Sequence, residues 1–218
     1  MAEIDLLANY PKAQRKVFER GQEKTEEDRR IGRQFGQAYF DGDRRFGYGG
    51  YNYHPRFWQP VMPDFKKHFN LTAQSSLLDV GSGKGFMLHD LAQAIPGIKV
   101  QGIDVSDYAI TNTIEDMRPF VKQGNAKQLP FADKSFDVVI SINTIHNLAI
   151  DDCKQALHEI QRVARRGAFI TVDAYRTPEE KERMDAWNLT ALTYMSVQEW
   201  KSLFNEVGYT GDYYWFIP

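Results

Sequence analysis

The chain has 218 residues, 42% hydrophobic and 26% charged, enough for one domain with a buried core. Its formal net charge of −2 gives no general attraction to nucleic acid or a membrane surface, and no apolar run approaches the roughly 18 residues of a membrane span. The one cysteine, Cys153, excludes an internal disulfide and a cysteine-rich zinc site, and the opening MAEIDLLANYPK lacks the basic head and apolar core of a secretory signal, so a cytoplasmic protein is expected.

Residues 1–75 are polar and interrupted by Gly and Pro. Thr25-Glu26-Glu27-Asp28 reads as a capped helix start with acids in its first turn. Ile31, Phe35 and Ala38 follow at helical spacing, and Gly42 is the expected stop. The stretch FGYGGYNYHPRFW, residues 46–58, holds six aromatic residues and three glycines in thirteen positions. A second helix is expected to carry Trp58, Val61, Phe65 and Phe69, with Pro60 and Pro63 disturbing its first turn.

From Ser76 short apolar runs alternate with amphipathic ones. SLLDV reads as a strand, FMLHDLAQAI as a helix and IKVQGID as a strand. Ser106 caps a predicted helix bearing Ile110, Ile114 and Met117. VKQGNA and the β-branched FDVVISI are strands, and DDCKQALHEIQRVARRG is a helix that Gly167 should stop. AFITVDAY is the next strand. A helix begins at Ser196 and closes at Gly208, and YTGDYYWFIP is a final strand. This alternation predicts a parallel sheet with helices on both faces.

The strongest motif is LLDVGSGKGF, residues 77–86, a strand running into a glycine-rich turn and a helix. Glycines allow a tight turn and close approach of backbone to ligand, and a helix N-terminus offers free N–H groups. An acid, Asp104, ends the next strand, where it can bind both hydroxyls of a ribose. The dinucleotide pattern G-x-G-x-x-G/A fails because Phe86 stands at its last position. The spacing G-x-G-x-G with Asp79 two residues ahead instead resembles motif I of class I S-adenosylmethionine-dependent methyltransferases. GNAKQLPFADKSFDVVISINTIHNL and RRGAFITVDAY fit later segments of that family. The resemblance covers roughly residues 70–208.

The resemblance implies a Rossmann-like, doubly wound, mostly parallel sheet of six to seven strands. Residues 71–218 would form the core, and residues 1–70 a helical extension forming a lid. The family usually closes its sheet with an antiparallel pair, but one strand fits beyond Gly208, so a shortened edge is expected. The implied cofactor is S-adenosylmethionine, with S-adenosylhomocysteine as product. Gly81, Ser82 and Gly83 would bring backbone to its amino-acid part, and Asp79 would help hold the amino group. Asp104, with Val105 beside it, would bind the ribose. Asn125 and Ala126 match the adenine-contacting pair, and Ser141 would approach the methionine moiety through its backbone.

In-line methyl transfer needs alignment, exclusion of water and, for an alcohol or ammonium acceptor, a base. His146 is the preferred base because its ordinary pKa suits the task. Asn143, Asn147, Tyr175 and Arg176 follow the fourth and fifth strands, where ligands sit in such folds. Within the aromatic stretch, Tyr51 is a catalytic candidate, and Tyr48, Tyr53, His54 and Arg56 are substrate-binding candidates. Their rings can attract a cation and their hydroxyls can orient an acceptor. Each also has a structural reading, in loop bonding or local packing. His68, His89 and His158 fall in helical patterns as surface residues, and no metal-ligand spacing is present. The expected function is methyl transfer to an amine or hydroxyl of a small, anionic metabolite, without nucleic-acid or membrane partners. The alternatives are methylation of protein or RNA, and a non-catalytic cofactor-binding regulatory module.

Overall fold

The computed structural model describes residues 1–11, 17–18 and 24–218. In chain order the elements are α1 Glu26–Gly32, α2 Gln37–Asp41, α3 Pro55–Trp58, α4 Met62–His68, β1 Ser76–Val80, α5 Phe86–Ala94, β2 Lys99–Asp104 and α6 Asp107–Thr111. Then come β3 Val121–Gln123, β4 Phe136–Ile142, α7 Ile150–Val163, β5 Ala164–Tyr175, α8 Pro178–Trp187, β6 Met195–Ser196, α9 Val197–Glu206 and β7 Asp212–Phe216.

The strands form a seven-stranded sheet in the order β3-β2-β1-β4-β5, with β6 and β7 both paired to β5. Every pairing between these strands is parallel. Alternate residues feed two cores. Leu78, Val80, Val139, Ile170 and Val172 pack with Leu157 and Ile160 of α7 and Trp200 and Phe204 of α9. Leu77, Val138, Ile140 and Phe169 pack with Phe65 of α4 and Leu88 and Leu91 of α5. A strand buried on both faces needs apolar residues at consecutive positions, which is why SLLDV and FDVVISI read as runs. The strand order reverses between β1 and β4, so a crevice opens beyond their carboxyl ends.

Local signals held where capping fixed them. Thr25 makes a capping box with Asp28, Ser106 Oγ accepts from Ala109 N–H, and Ser196 makes a capping box with Glu199. Elsewhere the structure corrects the expectations. The helix after Thr25 breaks at Phe35, whose φ of 49° is left-handed, and resumes as α2. The break turns the Phe35 carbonyl toward Ser106 Oγ, at 2.5 Å. The helix after Ser106 stops at Thr111, and Ile114 and Met117 lie in and beside a short 3₁₀ turn. The segment Arg165–Gly167 is strand, not helix end: Arg165 pairs with Asp137 at 3.1 Å, and the Phe69 ring lies 3.0 Å from where a Cβ on Gly167 would stand. Helix α8 and strand β6 have no counterpart among the elements that the sequence predicts.

The sheet edge differs from the antiparallel pair with which the family usually closes, and β7 is the one strand beyond Gly208 that the sequence predicts. β7 runs parallel to β5 from Phe169↔Asp212 to Asp173↔Phe216. Its outer side is partly covered by the N-terminal segment: Tyr213 N–H donates to the Ala2 carbonyl and Ile4 N–H to the Tyr213 carbonyl, both at 3.0 Å. Leu6 continues this segment into the second core.

Candidate functional site

At the carboxyl ends of β1 and β4 lies a cavity of about 1250 Å³. Pockets for one drug-sized ligand usually hold roughly 300–1,000 Å³, so there is room for two small ligands. Its floor is the turn after β1. Gly81 and Gly83 have φ of 88° and 54°, a region that side chains resist. A Cβ on Gly81 would also stand 2.1 Å from Thr144 Oγ1.

Two carboxylates face this floor. Asp104 is held by two backbone donors, Gly83 N–H at 2.7 Å and Ser106 N–H at 2.9 Å. Burial raises its pKa, and the N–H bonds from Ser106, Gly83 and Val105 oppose that rise. A carboxylate can accept about four hydrogen bonds, so acceptor capacity remains for a ligand hydroxyl. Asp79 is 4% exposed, and its Oδ1 is buried without a hydrogen-bond partner. Burial, with the nearby Asp104 charge, pushes its pKa up to about 7. A buried orphan acceptor is costly, and an ammonium group would satisfy it. Ser82 Oγ is likewise buried and unpartnered. Val105, 53% exposed, is an apolar side chain left open on the cavity wall, and Asn125 and Ala126 continue that wall. Asn125 Oδ1 already accepts from Lys127 N–H at 3.0 Å.

The aromatic stretch lies against this floor. Tyr51 stacks on Phe86 with ring centroids 5.0 Å apart, and its ring edge lies 3.4 Å from where a Cβ on Gly83 would stand. Burial, with Tyr48, Tyr10, Asp79 and Asp104 nearby, raises its pKa well above the ordinary value, so its hydroxyl keeps its proton. The protonated phenol can donate a hydrogen bond to a ligand. Tyr48 packs on Tyr51 at 4.4 Å, and both line the cavity with His54. Tyr53 and Arg56 do not line it. Tyr53 donates to Asp90 at 2.6 Å, and Arg56 lies over Phe57 at 4.8 Å.

The far end is built by β4, β5 and the loops beyond them. Asn143, with φ of 51°, receives Thr171 Oγ1–H on its Oδ1 at 2.8 Å. Asn147 Oδ1 is buried and unpartnered, and Asp173 also lines the cavity. Ser141 is fully buried below the floor and donates to the Val80 carbonyl at 2.9 Å. Tyr175 is turned to Lys181, 5.9 Å from its ring, outside the lining, while Arg176 lines the cavity and pairs with Glu3 at 3.5 Å.

His146 corrects the expectation of a free base. Its Nδ1 accepts from Asp173 N–H at 3.0 Å, and its carbonyl accepts from Leu192 and Thr193 N–H. A neutral ring that accepts on Nδ1 carries its proton on Nε2, leaving no lone pair for a substrate proton. Burial lowers its pKa, against the pull of Asp173. His146 therefore orders β5 and the 190s loop. The residues that the sequence reading passed over are Lys84, Asp41 and Tyr108. Lys84 sits inside the glycine-rich turn and its ammonium lies 2.6 Å from Asp41. The signal was a charged residue between glycines in a turn that must be buried.

Among the described residues no group of three or more His, Cys, Asp or Glu is arranged to hold a metal ion, and no helix is long and apolar enough to cross a membrane. His68, His89 and His158 lie outside the cavity, the first two bonded to Asp212 and Asp116.

Comparison with known proteins agrees with this geometry. Residues 78–172 match the methyltransferase domain family. The chain is 28% identical over 165 residues to the uncharacterized methyltransferase YcgJ of Bacillus subtilis, covering 67% of this chain and 62% of that one. It is 36% identical over 96 residues to a demethylmenaquinone methyltransferase of Roseiflexus sp., covering 43% and 40%. It thus spans less than two thirds of these relatives. Among solved structures, that of YcgJ superposes with a TM-score of 0.55 at 19% identity, covering 67% of this chain and 66% of that one. The [4+2]-cyclase SpnF superposes with a TM-score of 0.56 at 21% identity, covering 69% and 56%. These likenesses show the fold.

Proposed function

We propose that this chain, whose residues 78–172 match the methyltransferase domain family, is a class I S-adenosylmethionine-dependent methyltransferase that transfers a methyl group to a hydroxyl or amine of a small molecule held in the same cavity. The observation that carries the reading is the buried, unpartnered Oδ1 of Asp79 beside the Gly81–Gly83 turn and the pre-bonded Asp104. The ammonium of S-adenosylmethionine would satisfy Asp79, its ribose hydroxyls Asp104, and its adenine would lie between Val105 and the Asn125-Ala126 wall. When bound, the cofactor supplies an electrophilic methyl group.

The chain's own work is alignment and enclosure. Tyr48 and Tyr51 cover the floor, and Tyr51 points a protonated hydroxyl donor at the site. Asn143 and Asn147 offer amide groups at the acceptor end. A proton from a hydroxyl or ammonium acceptor is assigned to Asp173, the carboxylate lining the cavity at the end of β5, in place of His146. The expected anionic group on the acceptor loses support. Arg44 is bonded to the Tyr48 carbonyl, Arg45 lies 3.6 Å from Asp28, Arg176 pairs with Glu3 and Lys24 caps the carbonyls at the end of α8. These described cations are committed to the protein itself, which favours an acceptor without an anionic group. Enclosure by residues 5–10, 35–58 and 187–190 favours a small one over a protein or RNA.

The test is incubation with S-adenosylmethionine and a panel of neutral alcohols, amines and sugar derivatives, with mass spectrometry for a methyl gain. Asp104→Ala should weaken cofactor binding by about 10–100-fold, since it removes charge-assisted bonds. Unchanged affinity by calorimetry would sink the donor assignment.

A further inference from the structure

We propose that Lys84 is a positioning residue that joins the covering segment of residues 37–51 to the cofactor turn, so that the loop cradling the donor also fixes Tyr51 above it. The inference rests on the donor-binding reading above.

Lys84 lies between Gly83 and Gly85 and is only 5% exposed, a rare burial for lysine unless it is paired. Its ammonium donates to Asp41 Oδ2 at 2.6 Å and to the Tyr51 carbonyl at 2.9 Å. Asp41 is used at both oxygens: Oδ1 accepts from Tyr51 N–H at 2.9 Å, and Oδ2 accepts also from the Tyr108 hydroxyl at 2.7 Å. Tyr51 is therefore gripped at both its backbone N–H and its carbonyl, once by each member of the ion pair. Its ring lies on Phe86 and over Gly83. Tyr108 brings in α6, which begins three residues after the ribose-binding Asp104.

An aliphatic side chain at position 84 would pack the same space without the cost of burying a charge. What the pair adds is direction. Lys84 shares one turn with Gly81, Ser82 and Gly83, so a displacement of the turn moves the ammonium and, through it, the Tyr51 peptide. The covering segment has its own glycines, Gly47, Gly49 and Gly50, and no regular structure between Gly47 and His54; beside the ion pair, Gly50 N–H donates to the Phe40 carbonyl at 3.1 Å.

The experiment compares the wild-type chain with Lys84→Met/Asp41→Asn, which removes both charges and leaves no buried ion unpaired. S-adenosylmethionine affinity is measured by calorimetry. Trypsin cleavage after Arg44 and Arg45 is followed with and without saturating cofactor. Cofactor should slow that cleavage in the wild type. The double variant should bind about ten-fold more weakly, and saturating cofactor should no longer protect Arg44 and Arg45. A merely structural pair would leave protection at saturation intact, and that result overturns the proposal. Tyr108→Phe removes one hydroxyl from Asp41 without altering the fold. It should shift affinity and protection in the same direction by a few-fold, so the proposal fails if Tyr108→Phe behaves as wild type even where the double variant does not fold. Absence of any binding heat in the wild type would sink the donor reading, and this inference with it.

Discussion

Asp79 concentrates the chemistry of the site in one side chain. An Asp free in water titrates at about 3.9, whereas here burial and Asp104 move the group to about 7. The folded, ligand-free protein therefore holds a proton that the unfolded chain has already released between those two values. Stability should then fall as pH rises through that window, at up to about 1.4 kcal/mol per unit. Asp79→Asn keeps the neutral shape at every pH, so thermal midpoints should decline less from about pH 5 to about pH 8, and the variant should be the more stable at the upper end. The same substitution should weaken S-adenosylmethionine binding, because only the carboxylate pairs with the ammonium. An Asp79→Asn chain that followed the wild-type pH curve would remove Asp79 as the titrating group. His146 and Asp173 make a second contrast. If the neutral ring is an organiser and the carboxylate the proton acceptor, Asp173→Asn should slow turnover by about 10²-fold or more with cofactor affinity kept, the usual scale of general-base catalysis. His146→Ala should instead lower the thermal midpoint. The motif residues were legible because G-x-G-x-G, the following acid and the strand–helix frame constrain one another. Lys84 was not: a lysine in a turn reads as solvated, and its partner Asp41 lies 43 positions upstream.

At the level of elements, the strands from Ser76 to Ile142 could be read because burial on both faces leaves an apolar run with sharp ends. The helix from Thr25 could not be followed past Gly32, since its apolar spacing continues through a break set by tertiary contact with Ser106. Gly167 misled for a similar reason. It looks like a helix stop, but its lack of a side chain serves the Phe69 ring packed on β5. Glycines in the covering segment have a comparable duty. A Cβ on Gly47 would stand 2.1 Å from the Tyr39 carbonyl oxygen. Gly47→Ala should therefore displace Tyr48 and Tyr51 and destabilise the protein by about 1–3 kcal/mol, as overpacking does. Cofactor affinity should fall although no residue of the glycine-rich turn has changed. Calorimetry and thermal unfolding on the same preparation would show both effects, and wild-type values would mean that the covering segment does not shape the site.

On the scale of the molecule, the cavity is assembled from both ends of the sequence: its wall includes Asp5, Leu7 and Tyr10 as well as Tyr214 and Ile217. Leu6, 3% exposed, pins the first of these segments to the second core. Leu6→Ala should cost about 2–4 kcal/mol. It should also speed amide exchange at Tyr213, whose N–H donates to Ala2, while Ile140 in the sheet centre stays protected. Equal exchange at both positions would mean that Leu6 supports the whole fold and not this seam.

The pairing of residues 2–4 with Tyr213 also fixes an order of events as the chain leaves the ribosome. Domains form from the N-terminal side as synthesis proceeds. Here residues 2–4 have no strand to pair with until β7 has emerged and docked on β5. The β1–β4 centre can assemble early, with its glycine-rich turn in place. One wall of the site must wait some 200 residues for its template. A nascent chain stalled before Asp212 should hold a folded sheet centre and an unfinished cavity, so competence to bind ligand arrives only with β7.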